Sequence, residues 1–193
     1  PEHGIAADIG CDGGRWSRYL IENGYSVVCT DIDEKSLALC QERLPESVCV
    51  LTSPDATSFP FRDGQFDLLL CIGVVEVVLA DWFPEEVRRV LRPGGQLVAS
   101  IPNRNSWRSL LAQTVRAQKQ WAPHYALSYT DFRGSMIEHG FSLRQEIGCR
   151  WLPVRRNSNS AVVPFLAWME KYLGFSRLTK YSPWVIVTAR KDR

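Results

Sequence analysis

Long apolar runs are missing from this 193-residue chain: no stretch reaches the roughly 18 residues that span a bilayer, and nothing reads as a signal peptide. Metal-ligand spacing is missing too. The six cysteines, at 11, 29, 40, 49, 71 and 149, form no C-x-x-C or related pattern, so no metal site is expected and a reducing cytoplasm is the simplest home. Histidine is scarce, with three residues in all. There are no internal repeats and no low-complexity segment. The aromatics do not fall in a recognised RNA-binding pattern, which disfavours nucleic acid as a partner. Acidic residues thin out along the chain: residues 1–103 hold 16 Asp/Glu against 8 Lys/Arg, a net of −8, whereas residues 104–193 hold 5 against 15, a net of +10. The basic half suits an anionic substrate or a lipid headgroup surface. The length, with 45% hydrophobic residues, suits one well-buried domain. The chain opens at Pro1, without an initiator Met, almost directly on an apolar run, so further residues upstream are expected.

What is present is a regular alternation of strand and helix patterns through the first hundred residues, the signature of an α/β doubly wound parallel sheet. Strands are expected at 5–9, 25–31, 48–52, 66–72 and 96–101, with Pro93-Gly94-Gly95 turning into the last. The first helix, 14–22, carries Trp16, Tyr19 and Leu20 on one face and stops at Gly24. Asp33 caps a second, 34–44, with Leu37, Leu39, Cys40 and Leu44 as its apolar face. Beyond residue 103 the pattern loosens: a helix over 129–139, a strand over 141–152 and a last strand over 184–189.

The first strand ends in Asp8-Ile9-Gly10-Cys11-Asp12-Gly13-Gly14, a strand feeding a glycine loop and a helix. About 20 residues beyond the glycines, Val27-Val28-Cys29-Thr30-Asp31 ends in a carboxylate placed to hold ribose hydroxyls. Nicotinamide enzymes and S-adenosylmethionine methyltransferases share both features. A dinucleotide site uses G-x-G-x-x-G so that backbone can approach a pyrophosphate. Asp12 inside the turn would repel that group, but is tolerable beside a cofactor carrying an ammonium and a sulfonium.

Two further blocks complete a pattern: Asp55-Ala56 followed by Phe59-Pro60-Phe61-Arg62-Asp63-Gly64-Gln65-Phe66-Asp67, and Val90-Leu91-Arg92-Pro93-Gly94-Gly95. With Asp8–Gly14 and Asp31-Ile32-Asp33, four blocks stand in order. In these the chain resembles the class I S-adenosylmethionine-dependent methyltransferases, particularly the small-molecule branch, closely over residues 5–103 and loosely beyond. The resemblance implies a Rossmann-like sheet of seven strands in the order 3-2-1-4-5-7-6 with strand 7 antiparallel. It implies S-adenosyl-L-methionine as cofactor, with S-adenosyl-L-homocysteine as product. Asp8, Gly10 and Cys11 would line the methionine end; Asp31 would hold the ribose and Ile32 pack on the adenine. Asp55 and Ala56 would read the adenine edge, and Cys71, Ile72 and Gly73 would lie beside the transferring methyl. Two departures stand out. Asp12 replaces the middle glycine of G-x-G-x-G, and Glu76-Val77 stands where many relatives carry Glu-His.

The implied organisation is a single domain, 1–193, with a cofactor-binding half (1–103) and an acceptor or lid half (104–193) carrying insertions at 104–128 and 155–180. His124, beside Tyr125 and next to the presumed lid, is the candidate base; a loop histidine bonded to backbone is the plainer alternative. His139, at a helix C-terminus, reads as structural. His3 stands at the edge of the chain, within possible reach of the cofactor, and Glu76 reads equally as a group that orients an acceptor and as a solvated helix carboxylate. The stretch 104–121 combines bases with a stripe of Trp107, Leu110, Leu111 and Val115. Residues 161–175 are too apolar for a solvated loop and too short and charged to span a bilayer. The first could be a lid over an anionic or amphipathic acceptor, a membrane-surface helix or an ordinary packed helix with a charged outer face; the second could close the acceptor pocket, form a homodimer or touch a membrane, and a lipid-like acceptor would account for both. The function expected is methyl transfer to oxygen or carbon, or else nitrogen, of a small or amphipathic acceptor. The alternatives are a non-catalytic S-adenosylmethionine-binding module and an NAD(P)-dependent oxidoreductase.

Overall fold

In the computed structural model, residues 3–114, 127–151, 164–165, 168 and 172–193 are described, the side chains of 111–114 excepted. Strands β1 (Ile5–Ile9), β2 (Ser26–Asp31), β3 (Val48–Leu51) and β4 (Phe66–Cys71) alternate with helices α1 (Arg15–Glu22) and α2 (Glu34–Arg43). Helices α3 (Val75–Val78) and α4 (Phe83–Val90) lead into β5 (Leu91–Pro102). They are followed by α5 (Trp107–Thr114), α6 (Tyr129–Glu138), β6 (Phe141–Cys149) and β7 (Trp184–Lys191). The sheet order is β3-β2-β1-β4-β5-β7-β6, with β7 antiparallel to both β5 and β6. This is the order the resemblance implies.

Side chains alternate across a strand, and β1 and β4 send theirs to two separate cores. Ala6 and Leu70 join Leu20, Val27, Cys29, Leu37 and Cys40, under α1 and α2. Ala7, Ile9, Leu69 and Cys71 join Phe83, Val87, Phe132 and Met136, under α4 and α6. A sheet covered on both faces needs near-continuous apolar strands, which explains the run in β4. Asp67 stays polar within it because it ties three strands together: Ile5 N–H donates to its Oδ2 at 2.7 Å, and Arg92 pairs with its Oδ1.

Several expectations change. The buried face of α1 is Ser17 and Leu20, while Trp16 and Tyr19 are 43% and 59% exposed. The hydroxyl of Ser17 takes the inward position because the buried Asp8 carboxylate is there to accept from it. In α2, Leu37, Cys40 and Leu44 are buried but Leu39 is largely exposed. Leu110 of α5 is half exposed, whereas Ser109, and Ser106 just before the helix, are buried; the Leu111 and Val115 side chains lie outside the described residues. Pro93-Gly94-Gly95 does not precede β5 but lies within it: Phe66 pairs with Leu91 and Leu68 with Gln96, so this segment bulges out of the ladder. Gly94 takes φ +81° there, which a side chain would resist.

Two polar hubs fix the loops. Arg89 donates to the carbonyls of Phe59 (3.0 Å) and Phe61 (2.7 Å) and to the carboxylates of Asp63 and Glu86, while Glu86 accepts from Phe59 N–H at 2.7 Å. Partly buried charges in such a cluster need the full set of partners to offset desolvation. Asn103, fully buried, donates to the carbonyls of Lys180 (2.9 Å) and Ser182 (3.0 Å) and accepts from the N–H groups of Asn105 and Tyr129, both at 3.1 Å. It joins the end of β5 to α6 and to the approach to β7.

Candidate cofactor-binding site

The strand order reverses direction between β1 and β4, and the carboxyl ends of strands at such a switch point form the usual ligand crevice of open α/β sheets. The loop leaving β1 there is held in a conformation few side chains tolerate. Gly10, Asp12 and Gly14 have φ of +68°, +49° and +78°. A Cβ on Gly10 would overlap Val74 Cγ2, so only glycine lets the loop approach the segment after β4. Aspartate is among the few non-glycine residues that enter the left-handed region, which resolves how Asp12 replaces a glycine.

Three hydrogen bonds then fix the loop to its neighbours. Cys11 N–H donates to Thr30 O at 2.8 Å, Asp12 N–H to Asp31 Oδ2 at 2.9 Å, and Arg43 Nη1 to Gly13 O at 3.1 Å. The other oxygen of Asp31 accepts from Asp33 N–H at 3.0 Å. A carboxylate offers about four acceptor sites, so two remain for hydroxyls of a ligand. Ser36 Oγ links the Asp12 and Asp33 carboxylates at 3.3 and 2.9 Å, and Asp33 caps α2 through the N–H groups of Lys35 and Ser36. These donors hold the Asp33 carboxyl below the usual carboxylate range, the Ser36 hydroxyl chief among them. Three carboxylates thus crowd the ends of β1 and β2, a poor setting for a pyrophosphate and an acceptable one for a cationic ligand.

Each sequence-derived site residue has a definite place. Asp31 stands at the end of β2 with Ile32, 60% exposed, beside it. Asp8 and Cys11 are buried, so contact with a ligand over this loop is left to its backbone. Asp8 Oδ2 accepts from Ser17 Oγ at 2.6 Å, and burial pushes its carboxyl up to about 6 despite that bond. Asp55 is exposed; Ala56 N–H donates to Ser53 O at 3.1 Å in a turn. Cys71 is fully buried and burial raises its thiol. Gly73 is exposed with φ +83° and open space where a side chain would stand, and its N–H donates to Ser100 Oγ at 2.8 Å. Gly10 and Gly73 thus keep side chains away from the carboxyl ends of β1 and β4, beside the partly exposed Asp31 at the end of β2.

The remaining candidates divide. His124 lies outside the described residues. His3 precedes β1, its ring 5.7 Å from that of Tyr25, so the whole length of the strand separates it from Gly10 and it is removed from the site. His139 Nδ1 sits 2.8 Å from Ser135 O at the end of α6, a structural position as expected. Glu76 is exposed on α3. Sequence reading missed Ser17 and Ser100. Nothing local marks either, because each matters through a partner on another element.

Comparison with known proteins agrees with this geometry. Residues 7–99 match the family described as a methyltransferase domain. A ubiquinone biosynthesis O-methyltransferase of Pseudomonas aeruginosa (strain LESB58) is 33% identical over 105 residues, 51% of this chain and 44% of that protein. A demethylmenaquinone methyltransferase of Beutenbergia cavernae is 34% identical over 101 residues, 52% of this chain and 41% of that one. The chain thus spans less than half the length of these two curated relatives. Among solved structures, an S-adenosylmethionine-dependent methyltransferase from Mesorhizobium loti superposes with a TM-score of 0.67 at 19% identity, covering 99% of this chain and 93% of that one. A putative one from Listeria monocytogenes gives 0.70 at 13%, covering 99% and 91%. Motifs, sheet order and family match converge: residues 7–99 match a methyltransferase domain, and the sheet has the class I S-adenosylmethionine-dependent methyltransferase fold.

Proposed function

We propose that this chain transfers a methyl group from S-adenosylmethionine to an oxygen or carbon of an amphipathic acceptor. The observation that carries the reading is the Asp31 carboxylate, fixed by Asp12 and Asp33 N–H groups beside the left-handed glycine loop. In this reading Asp31 accepts from both ribose hydroxyls through its two remaining sites. Ile32 packs on the adenine, and Asp55 and Ala56 read its edge. Gly10 and Cys11 present backbone to the methionine portion. Cys71, Ile72 and Gly73 lie beside the transferring methyl, the buried Cys71 through its backbone alone, and Ser100 fixes the Gly73 peptide. The cofactor supplies an activated methyl with a neutral thioether as leaving group. The chain's task is to hold the acceptor on the line of displacement, the term worth most in such reactions. A base is required only for an undissociated hydroxyl, and His124 is assigned that role.

The acceptor class rests on the C-terminal half. Phe165, Trp168 and Tyr172 are helical and 53–64% exposed, with ring centroids 6.0 and 5.0 Å apart along the series. Leu173, Leu178 and Tyr181 are exposed nearby, beside exposed Arg177 and Lys180. Exposed aromatics followed along the chain by exposed bases suit peripheral contact with an anionic lipid surface, where an amphipathic acceptor resides. No helix among the described residues is long and apolar enough to cross a membrane. The names of the two curated relatives place them in ubiquinone and menaquinone chemistry, and a quinone precursor is the most concrete acceptor of this class.

Calorimetric titration with S-adenosylhomocysteine, with NADH as control, tests the cofactor; one-to-one binding of the former alone is expected. NADH binding alone would overturn it. Transfer of labelled methyl to phenolic quinone precursors presented in vesicles then tests the acceptor. Cofactor binding without turnover on that series would favour the non-catalytic module.

A further inference from the structure

The cysteine spacings show no metal motif along the chain, yet folding brings three of these residues together. Cys11 leaves β1 in the glycine loop, Cys29 lies in β2 and Cys40 in α2. All three are buried, and their sulfurs lie within 4.8 Å of one another. Among the described residues this is the one group of three potential ligands so placed. Three sulfurs around a cation at about 2.3 Å stand about 4 Å apart, so the triad needs only small rotamer shifts to close on one.

The three thiols sit within the apolar core under α1 and α2, with one polar contact among them. The Cys29 thiol lies 3.2 Å from Ser17 Oγ, which is itself held by Asp8, so a polar chain already orients this sulfur. Cys49, partly exposed, is the register partner of Cys29 on β3, and its sulfur lies 3.8 Å from Ser47 Oγ. Cys49 is not one of the three whose sulfurs all lie within 4.8 Å of one another. Gly14 leaves room: a Cβ there would come within 2.8 Å of Cys40 Sγ.

We propose that Cys11, Cys29 and Cys40 form a binding site for one thiophilic cation of the Zn(II) or Cu(I) class, beneath the glycine loop. Soft thiolates select these ions over Mg²⁺ and Ca²⁺. Each coordinating thiol releases its proton to solvent as its sulfur–metal bond forms, and no electron transfer is involved. The cation would tie the loop, β2 and α2 at a single point.

The test is anaerobic titration of the whole chain with Cd(II), following the sulfur-to-metal charge-transfer band. A one-to-one band is expected, with affinity at least tenfold weaker in Cys29→Ser and in Cys40→Ser and unchanged in Cys149→Ser. No band, or a band that survives both cluster substitutions, overturns the site. Should those variants fail to fold, Zn(II) X-ray absorption of the wild-type chain decides. A sulfur-only shell near about 2.3 Å upholds the site, and a nitrogen or oxygen shell overturns it.

Discussion

Polar contacts around the glycine loop join residues close in sequence: Ser17 to Asp8 spans 9 positions, Asp12 to Asp31 spans 19 and Arg43 to Gly13 spans 30. Around the end of β5 the corresponding hub, Asn103, reaches across 77 and 79 positions to Lys180 and Ser182. The first region assembles from one βαβ unit and its neighbour; the second exists only when the chain has returned through β7. The difference also divides function. The short-range region carries the residues proposed to bind the cofactor. The long-range region carries the aromatic and basic surface that would single out an acceptor.

The largest expected effect lies at the long-range hub. Asn103→Ala strands the buried Tyr129 N–H, the partly buried Asn105 N–H and the carbonyls of Lys180 and Ser182, and a loss of about 4 kcal/mol in urea unfolding is expected. Hydrogen exchange should locate the loosening in α6 and β7. Equal loosening of β1 and β2 would erase the distinction between the regions.

Next comes Asp8 on the short-range side. Its folded carboxyl is raised from 3.8 to about 6, so the folded state favours its protonated form. The resulting stability is complete below pH 3.8 and disappears as pH rises through 6, a fall of about 3 kcal/mol. Urea unfolding across this range should show the fall in the wild-type chain and not in Asp8→Asn. Parallel curves would mean that the buried carboxylate bears no such cost.

Asp31→Ala is smaller and confined to binding. Loss of its charge-assisted hydrogen bonds should weaken S-adenosylhomocysteine by about 1–3 kcal/mol in calorimetry, and an unchanged affinity would remove it from the site. Smallest is Trp168→Ala, expected to weaken partition onto anionic vesicles roughly fivefold, about 1 kcal/mol, with cofactor affinity unaltered. A change in cofactor affinity instead would show the two regions to be coupled.

The same division explains what could be read in advance. Apolar strand runs, the Asp33 cap and the acid ending β2 are local, and each is where the sequence pattern puts it. The Asp8–Gly14 loop was legible as a strand-to-helix turn. The face of α1 was not, because Ser17 outranks Trp16 and Tyr19 only once the Asp8 carboxylate is known to lie opposite. Likewise Pro93-Gly94-Gly95 reads as a turn, and pairing of Leu91 with Phe66 makes it a bulge. The thiol triad and the hub at Asn103 depend on residues that no spacing rule connects.

The clamp made by Arg89 and Glu86 has a consequence for ligand entry. Thr52 is held at one side by its hydrogen bonds to the Asp31 carbonyl, at 2.9 and 3.2 Å, and Phe59 at the other by Glu86 and Arg89. Residues 53–58, which include Asp55 and Ala56, form a short span between two moorings, and most of its ordering entropy is lost when the chain folds. A nucleoside meeting this span has little slack to take up. Discrimination there would therefore resemble a fixed gauge, rejecting bases by fit, rather than a loop that closes around whatever arrives.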